Sequence, residues 1–120
     1  MLIFGTRPEA IKMAPIIIEL RNRKLAKCIV CVSGQHKELL YDVLDNFNIV
    51  PDEDFSVMKN NQSLTELTSR LLIYSKNAIE KYNPDIILQL RPTQPCRKVE
   101  DIDKIFFNIR YFKNYSINCT

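Results

Sequence analysis

The feature that most constrains this chain is an alternation of short apolar runs with longer segments of helical period. Residues 1–4 (MLIF), 27–33 (KCIVCVS) and 85–90 (DIILQL) are the apolar runs. Runs this short and this apolar suit strands covered on both faces, as in a parallel sheet. Between them, Ile11, Ala14, Ile17, Ile18 and Leu20 recur at helical spacing. So do Leu39, Leu40, Val43, Leu44 and Phe47, and again Leu64, Leu67, Leu71, Ala78, Ile79 and Tyr82. The order is strand, helix, strand, helix, loop, helix, strand. That order predicts an α/β fold on a parallel sheet with right-handed crossovers.

The punctuation agrees. Gly5-Thr6-Arg7-Pro8 turns the chain out of the first strand. Pro8 suits a first helical position, and Thr6 or Arg7 lies near the N-cap. The helix should run to about Arg23, with a kink at Pro15. Gly34 ends the second strand. Ser63 and Glu66 form a capping box ahead of the third helix, and Asn83-Pro84 stops it. Residues 48–62, with Pro51 and the acidic run Asp52-Glu53-Asp54, read as a solvated loop. After the breaker cluster Arg91-Pro92-Thr93-Gln94-Pro95, one amphipathic helix could carry Val99, Ile102, Ile105, Phe106 and Ile109. The last ten residues show no clear period.

Composition excludes several classes. A chain of 120 residues, 46% hydrophobic and 26% charged, fits one ordinary domain that needs no disulfides. The net charge is +3, yet residues 1–90 hold 11 basic and 11 acidic side chains, while residues 91–120 hold 6 and 3. A nucleic-acid binder needs a basic stripe on the folded body, so no nucleic-acid partner is expected. There is no apolar run of 18 residues for a membrane span and no leader pattern at the start, which predicts a cytoplasmic protein. Cys28 and Cys31, three apart in a strand, should face opposite sides of the sheet. That makes two core thiols rather than a metal or redox pair, and no metal site is expected. Cys96 and Cys119 match no ligand pattern, and all four thiols should be reduced.

In open α/β sheets, ligands sit beyond the carboxyl ends of the strands. Three such ends are candidates: residues 5–7, 33–36 and 91–92. At the first, a glycine turn opening a helix lets backbone N–H groups approach an anion. Arg7 adds a fork-shaped cation suited to phosphate, and Lys12 lies a little more than one turn further on. At the second, Gln35 and His36 could donate to a sugar or phosphate, or could simply be an exposed pair starting a helix. Glu9, Glu38 and Asp85 are carboxylates with no visible partner. No Ser-His-Asp order, GxGxxG or P-loop is present.

The block FGTRPEAIKMAP (residues 4–15) resembles the N-terminal signature of the non-hydrolysing UDP-N-acetylglucosamine 2-epimerases. Residues 34–72 (GQHKELLYDVLDNFNIVPDEDFSVMKNNQSLTELTSRLL) and 81–88 (KYNPDIIL) continue it in order. The resemblance covers about residues 2–88, and relatives begin a few residues before Met1. It implies an incomplete, Rossmann-like half of a glycosyltransferase-B-type fold, whose active site lies in the cleft between two such halves. The implied reaction interconverts UDP-N-acetylglucosamine and UDP-N-acetylmannosamine. UDP is eliminated to leave a 2-acetamidoglucal, then re-added with inversion at carbon 2, for bacterial surface polysaccharide synthesis. No cofactor is implied, and intact members form homodimers. The resemblance makes Arg7 and Lys12 contacts to the UDP-sugar, and Gln35, His36 and Gln62 candidates for a second, allosteric UDP-N-acetylglucosamine site. That site often has an Arg just before the Gln, where this chain has Asn61.

The departure comes after the third strand. There the family reads Gly-Asp-Thr-Thr-Thr and uses the Asp in catalysis, whereas the ungapped position here is Pro92. Proton transfer at carbon 2 needs positioned acids and bases. The family takes them from this Asp, two later Glu and a later His, so no catalytic residue is assigned in this chain. Residues 89–95 can be encoded as CAG TTA CGG CCG ACA CAA CC, which two nucleotides on reads Val-Thr-Ala-Asp-Thr-Thr. We therefore expect a partial domain over residues 1–90 and a non-homologous, out-of-frame or disordered tail over 91–120. Such a chain should bind UDP-N-acetylglucosamine weakly and be inactive alone. The alternatives are a sugar-nucleotide-binding or regulatory partner of a full-length epimerase, and a non-functional product with an exposed sheet edge.

Overall fold

The structure is a computed structural model that describes residues 1–24, 26–34, 37–90, 100, 104 and 117–119, the strand residues at 88–90 and 117–119 by their backbone alone. The chain opens with β1 (Leu2–Phe4) and α1 (Arg7–Arg23), then β2 (Val30–Val32) and α2 (Lys37–Asn46). A two-residue β3 (Glu53–Asp54), α3 (Leu64–Tyr82), β4 (Leu88–Leu90) and β5 (Ile117–Cys119) follow.

The first three strands form one parallel sheet in the order β1-β2-β3, with Leu2 opposite Val30 and Cys31 opposite Glu53. Side chains along a strand alternate between its faces, and the core divides on that period. Leu2, Phe4, Val30 and Val32 pack with Ala10, Met13, Ala14, Ile17 and Leu20 of α1 and Leu40, Val43 and Leu44 of α2. Met1, Ile29, Cys31, Phe55 and Val57 form a second cluster with Ala78, joined by Ile3, Leu67, Leu71, Ile79 and Tyr82. Helices α1 and α2 therefore cover one face and α3 the other. Cys28 packs against the first cluster and Cys31 belongs to the second, as their spacing requires.

The acidic run at 52–54 is not a solvated loop, and this corrects the sequence reading. Glu53 and Asp54 add a strand to the edge of β2, and each of the three carboxylates has a partner. Asp52 accepts from the Val30 amide at 2.8 Å while its own amide donates to the Val30 carbonyl at 2.7 Å. Glu53 accepts from Lys81 Nζ at 2.7 Å and from the Tyr82 hydroxyl at 2.8 Å, tying β3 to the end of α3. Loop composition hid this strand, because pairing with β2 supplies what local propensity does not.

The helix ends follow their local chemistry. Ser63 caps α3: its hydroxyl accepts from the Glu66 amide at 3.2 Å, and the Glu66 carboxylate accepts from the Ser63 amide at 2.7 Å. Asn83 closes the helix in the left-handed region (φ 41°), its amide donating to the Ile79 carbonyl. Leu64, counted in the apolar face of α3 from its spacing, is 78% exposed. Helix α1 runs through Pro15 as one element and ends at Lys24, also left-handed (φ 51°).

The third strand expected over 85–90 forms at Leu88–Leu90. It pairs in parallel with β5, Leu88 opposite Ile117, so a strand stands where the sequence shows no period. The helix expected over 99–109 lies outside the described residues, apart from Glu100 and Lys104. Among the described residues, no helix is long and apolar enough to cross a membrane.

Candidate functional site

The chain path selects the carboxyl end of β1. From β1 the strands advance through β2 to β3 along one edge. Successive backbone N–H groups of a strand point to opposite edges. The Leu2 amide donates to the Ile29 carbonyl on the β2 side, and the Met1 nitrogen donates to the Ile86 carbonyl at 3.0 Å on the other. After α3 the chain thus returns to the far edge of β1. β4 lies near β1 but pairs with β5 in a separate sheet, so the three-stranded sheet ends at β1, and the carboxyl end of such a strand is where α/β folds place ligands.

Thr6, Arg7 and Lys12 stand at that end. Thr6 is the N-cap of α1, with extended backbone (φ −118°, ψ 156°). The Glu9 carboxylate turns back and accepts from the Gly5 amide at 2.9 Å and the Thr6 amide at 3.0 Å. Glu9 therefore does have a partner, contrary to the sequence reading. The two amides expected to meet an anion are already satisfied by the protein itself. What remains for a ligand are side chains: Arg7 is exposed and Lys12 half-buried. Among the described residues neither has a hydrogen-bond or ion-pair partner.

At the carboxyl end of β2, Ser33 is buried and Gly34 adopts φ +69°. Gln35 and His36 lie outside the described residues. The flanking geometry is set by Asp54. One of its oxygens accepts from the Ser56 amide at 2.8 Å; the other accepts from the Tyr41 hydroxyl at 3.0 Å and lies 3.5 Å from Lys37 Nζ. Burial pushes the Asp54 carboxyl up, but the bonds from Ser56 and Tyr41 and the Lys37 charge outweigh it and leave the pKa lowered. Burial and the same carboxylate push the Tyr41 phenol up. A side chain at Gly34 would put its Cβ 2.9 Å from an Asp54 oxygen and 3.2 Å from the Ser56 Cα, so only glycine fits.

Gln62 lies between β3 and α3. Its carboxamide oxygen accepts from Arg70 Nη1 at 2.8 Å, and its nitrogen donates to Met58 Sδ at 3.2 Å. The same Arg70 nitrogen reaches the Val57 carbonyl at 3.4 Å. Gln62 makes no hydrogen bond to Arg7 or Lys12. Sequence reasoning missed Lys37, Tyr41, Asp54 and Arg70. The alternation of Phe55 and Val57 beside Asp54 was the signal that could have marked a buried edge there. Among the described residues no cluster of three or more His, Cys, Asp or Glu side chains could hold a metal ion.

Residues 18–91 match the family model for UDP-N-acetylglucosamine 2-epimerase. Over 88 residues the chain is 49% identical to a probable UDP-N-acetylglucosamine 2-epimerase of Ralstonia solanacearum, covering 73% of this chain and 24% of the relative. It is 46% identical over 88 residues to the UDP-N-acetylglucosamine 2-epimerase of Escherichia coli strain K12, at 73% and 23% coverage. Among solved structures, the Neisseria meningitidis UDP-GlcNAc 2-epimerase bound to UDP-GlcNAc superposes with a TM-score of 0.65 at 45% identity, covering 71% of this chain and 23% of that one. The S. aureus MnaA–UDP co-structure gives 0.65 at 43% identity, with 72% and 22% covered. The chain thus spans about a quarter of the length of the curated relatives it matches. The family model spans more than half of the chain, from the last turns of α1 through β2, α2, β3, α3 and β4, and on these grounds the chain belongs to the UDP-N-acetylglucosamine 2-epimerase family.

Proposed function

We propose that residues 1–90 are the N-terminal, substrate-facing part of a UDP-N-acetylglucosamine 2-epimerase, in which Arg7 and Lys12 bind the anionic part of the nucleotide sugar. The observation that carries this reading is a pair of cations, Arg7 and Lys12, without partners among the described residues at the carboxyl end of β1, beside a turn whose amides Glu9 already occupies. Relatives solved with UDP-GlcNAc and with UDP support the ligand class. The resemblance adds a cytoplasmic site of action and a homodimer for the intact enzyme. These 120 residues carry Pro92 where the resemblance places a catalytic Asp, so on their own they are not expected to epimerise the ligand. Residues 91–120 we assign to translation outside the family's reading frame, since the family match ends at Arg91.

Titration calorimetry with UDP-N-acetylglucosamine tests the binding reading. A charge-assisted hydrogen bond contributes about 1.5–3 kcal/mol, so Arg7→Ala should weaken binding by about tenfold or more. Equal affinity of the variant and the native chain would overturn the assignment. Formation of UDP-N-acetylmannosamine by the purified chain would overturn the claim of inactivity. The genomic DNA decides the tail: epimerase sequence in another frame downstream of codon 89 is expected, and its absence would end that idea.

A further inference from the structure

We propose that Glu9 is a positioning residue for Arg7, its carboxylate fixing the turn that carries Arg7 beyond the end of β1. The inference rests on the binding reading above and adds a residue to it. A capping-box glutamate ordinarily accepts from the N-cap amide alone. Here one Glu9 oxygen accepts from the N-cap amide of Thr6 at 3.0 Å and also from the amide of Gly5, one residue earlier, at 2.9 Å. Both bonds bear on the two residues that precede Arg7, the first residue of α1. The backbone is pinned on either side of them. The Phe4 carbonyl accepts from the Ser33 amide at 2.9 Å, and the Thr6 carbonyl accepts from the Ala10 amide at 3.0 Å. β1 therefore sets one end of the turn, the first helical bond sets the other, and Glu9 holds the two amides in between. Gly5 is buried and Thr6 half-buried, so their amides need an acceptor. The direction of Glu9 matters as much as its bonds. A glutamate and a lysine three apart on a helix are neighbours and can pair. Glu9 turns towards the helix start instead, and Lys12 stays unpaired among the described residues. The carboxylate thus orders the turn without neutralising either cation. A turn ordered before the ligand arrives lowers the entropy cost of binding.

Glu9→Ala removes the acceptor, whereas Glu9→Gln keeps an oxygen at the same reach and removes the charge. Two readouts on the full chain test the role. One is hydrogen exchange of the Gly5 and Thr6 amides by NMR; the chain has two glycines, so the Gly5 signal is readily assigned. The other is calorimetric affinity for UDP-N-acetylglucosamine, measured well below the unfolding temperature. Glu9→Ala should open both amides to fast exchange and weaken binding about two- to tenfold, the usual cost of ordering one long side chain on association. Glu9→Gln should keep both amides protected and the affinity near its native value. In an Arg7→Ala background, Glu9→Ala should bring no further loss, because Glu9 acts through Arg7. A role confined to capping α1 would lower the unfolding midpoint and leave the affinity of the folded chain unchanged, and that result would overturn the proposal. Tighter binding in both variants would also overturn it, by showing that the Glu9 charge acts on the ligand anion directly. Should Glu9→Ala fail to fold, Glu9→Asp, one methylene shorter, decides in its place by the same criterion. No binding of UDP-N-acetylglucosamine by the native chain would sink the binding reading itself. Binding that is weakened in Arg7→Ala but unchanged in Glu9→Ala would leave that reading standing and remove Glu9 from it.

Discussion

The Arg70 guanidinium donates to the carboxamide oxygen of Gln62 at 2.8 Å across the segment that leads into α3. An arginine can only donate, so this contact fixes which end of the amide faces it and leaves the Gln62 nitrogen outward, against Met58. The second bond, to the Val57 carbonyl, ties the same guanidinium to the strand side of the segment. Arg70→Met keeps the apolar stem and removes all donors. We expect it to lower stability by about 1 kcal/mol, the usual net value of a partly exposed hydrogen bond. Urea unfolding reads this as a lower midpoint at unchanged slope; an unchanged midpoint would mean that the segment is held by its apolar contacts alone.

The two-sided core makes a graded prediction. Ile17 is fully buried between α1 and the sheet, whereas Leu72 on α3 is 65% exposed. Ile17→Ala should cost about 2–5 kcal/mol, and Leu72→Ala should stay within about 0.5 kcal/mol. Denaturant unfolding of both variants checks the ordering. Equal losses would contradict the assigned burial.

Cys31 and Cys28 should differ in reactivity. Burial, then the charges of Glu53 and Asp52, push the Cys31 thiol up to about 11. Burial also raises Cys28, but that side chain is only half-buried. The thiolate is the reactive form, so iodoacetamide near pH 8 should label Cys28 slowly and Cys31 only after unfolding. Peptide mapping by mass spectrometry resolves the two sites. The sign of the linked effect follows: the folded state keeps Cys31 protonated, so stability should fall as pH rises from about 9 towards 11.

Acid should act through Asp54. Its folded pKa lies below the ordinary 3.8. The carboxylate therefore contributes its full stabilisation above that value and loses it as pH falls through the lowered one. Asp54→Asn should be less stable than the native chain at pH 7, and the gap should close below about pH 4. Thermal unfolding between pH 3 and pH 7 measures it. A gap independent of pH would show that shape, not charge, is what Asp54 supplies.

The reading of the sequence succeeded where one residue's neighbours in the chain decide its place. Apolar runs marked β1, β2 and β4, helical spacing marked α1, α2 and α3, and Ser63 with Glu66 marked a cap that the structure closes with both bonds. The odd spacing of Cys28 and Cys31 placed them on opposite faces, because side-chain alternation is a local property of a strand. The tertiary structure alone decided the rest. Asp52, Glu53 and Asp54 look like solvent-facing charges until Val30, Lys81, Tyr82, Tyr41 and Lys37 come in from distant parts of the chain. Glu9 is different: Thr6 and Glu9 have capping-box spacing, and the Gly5 and Thr6 amides it accepts from are local, so its role was legible in the sequence. A carboxylate's role depends on which donors surround it, and for the acidic run folding brings those donors together from sequence separations that no local pattern encodes.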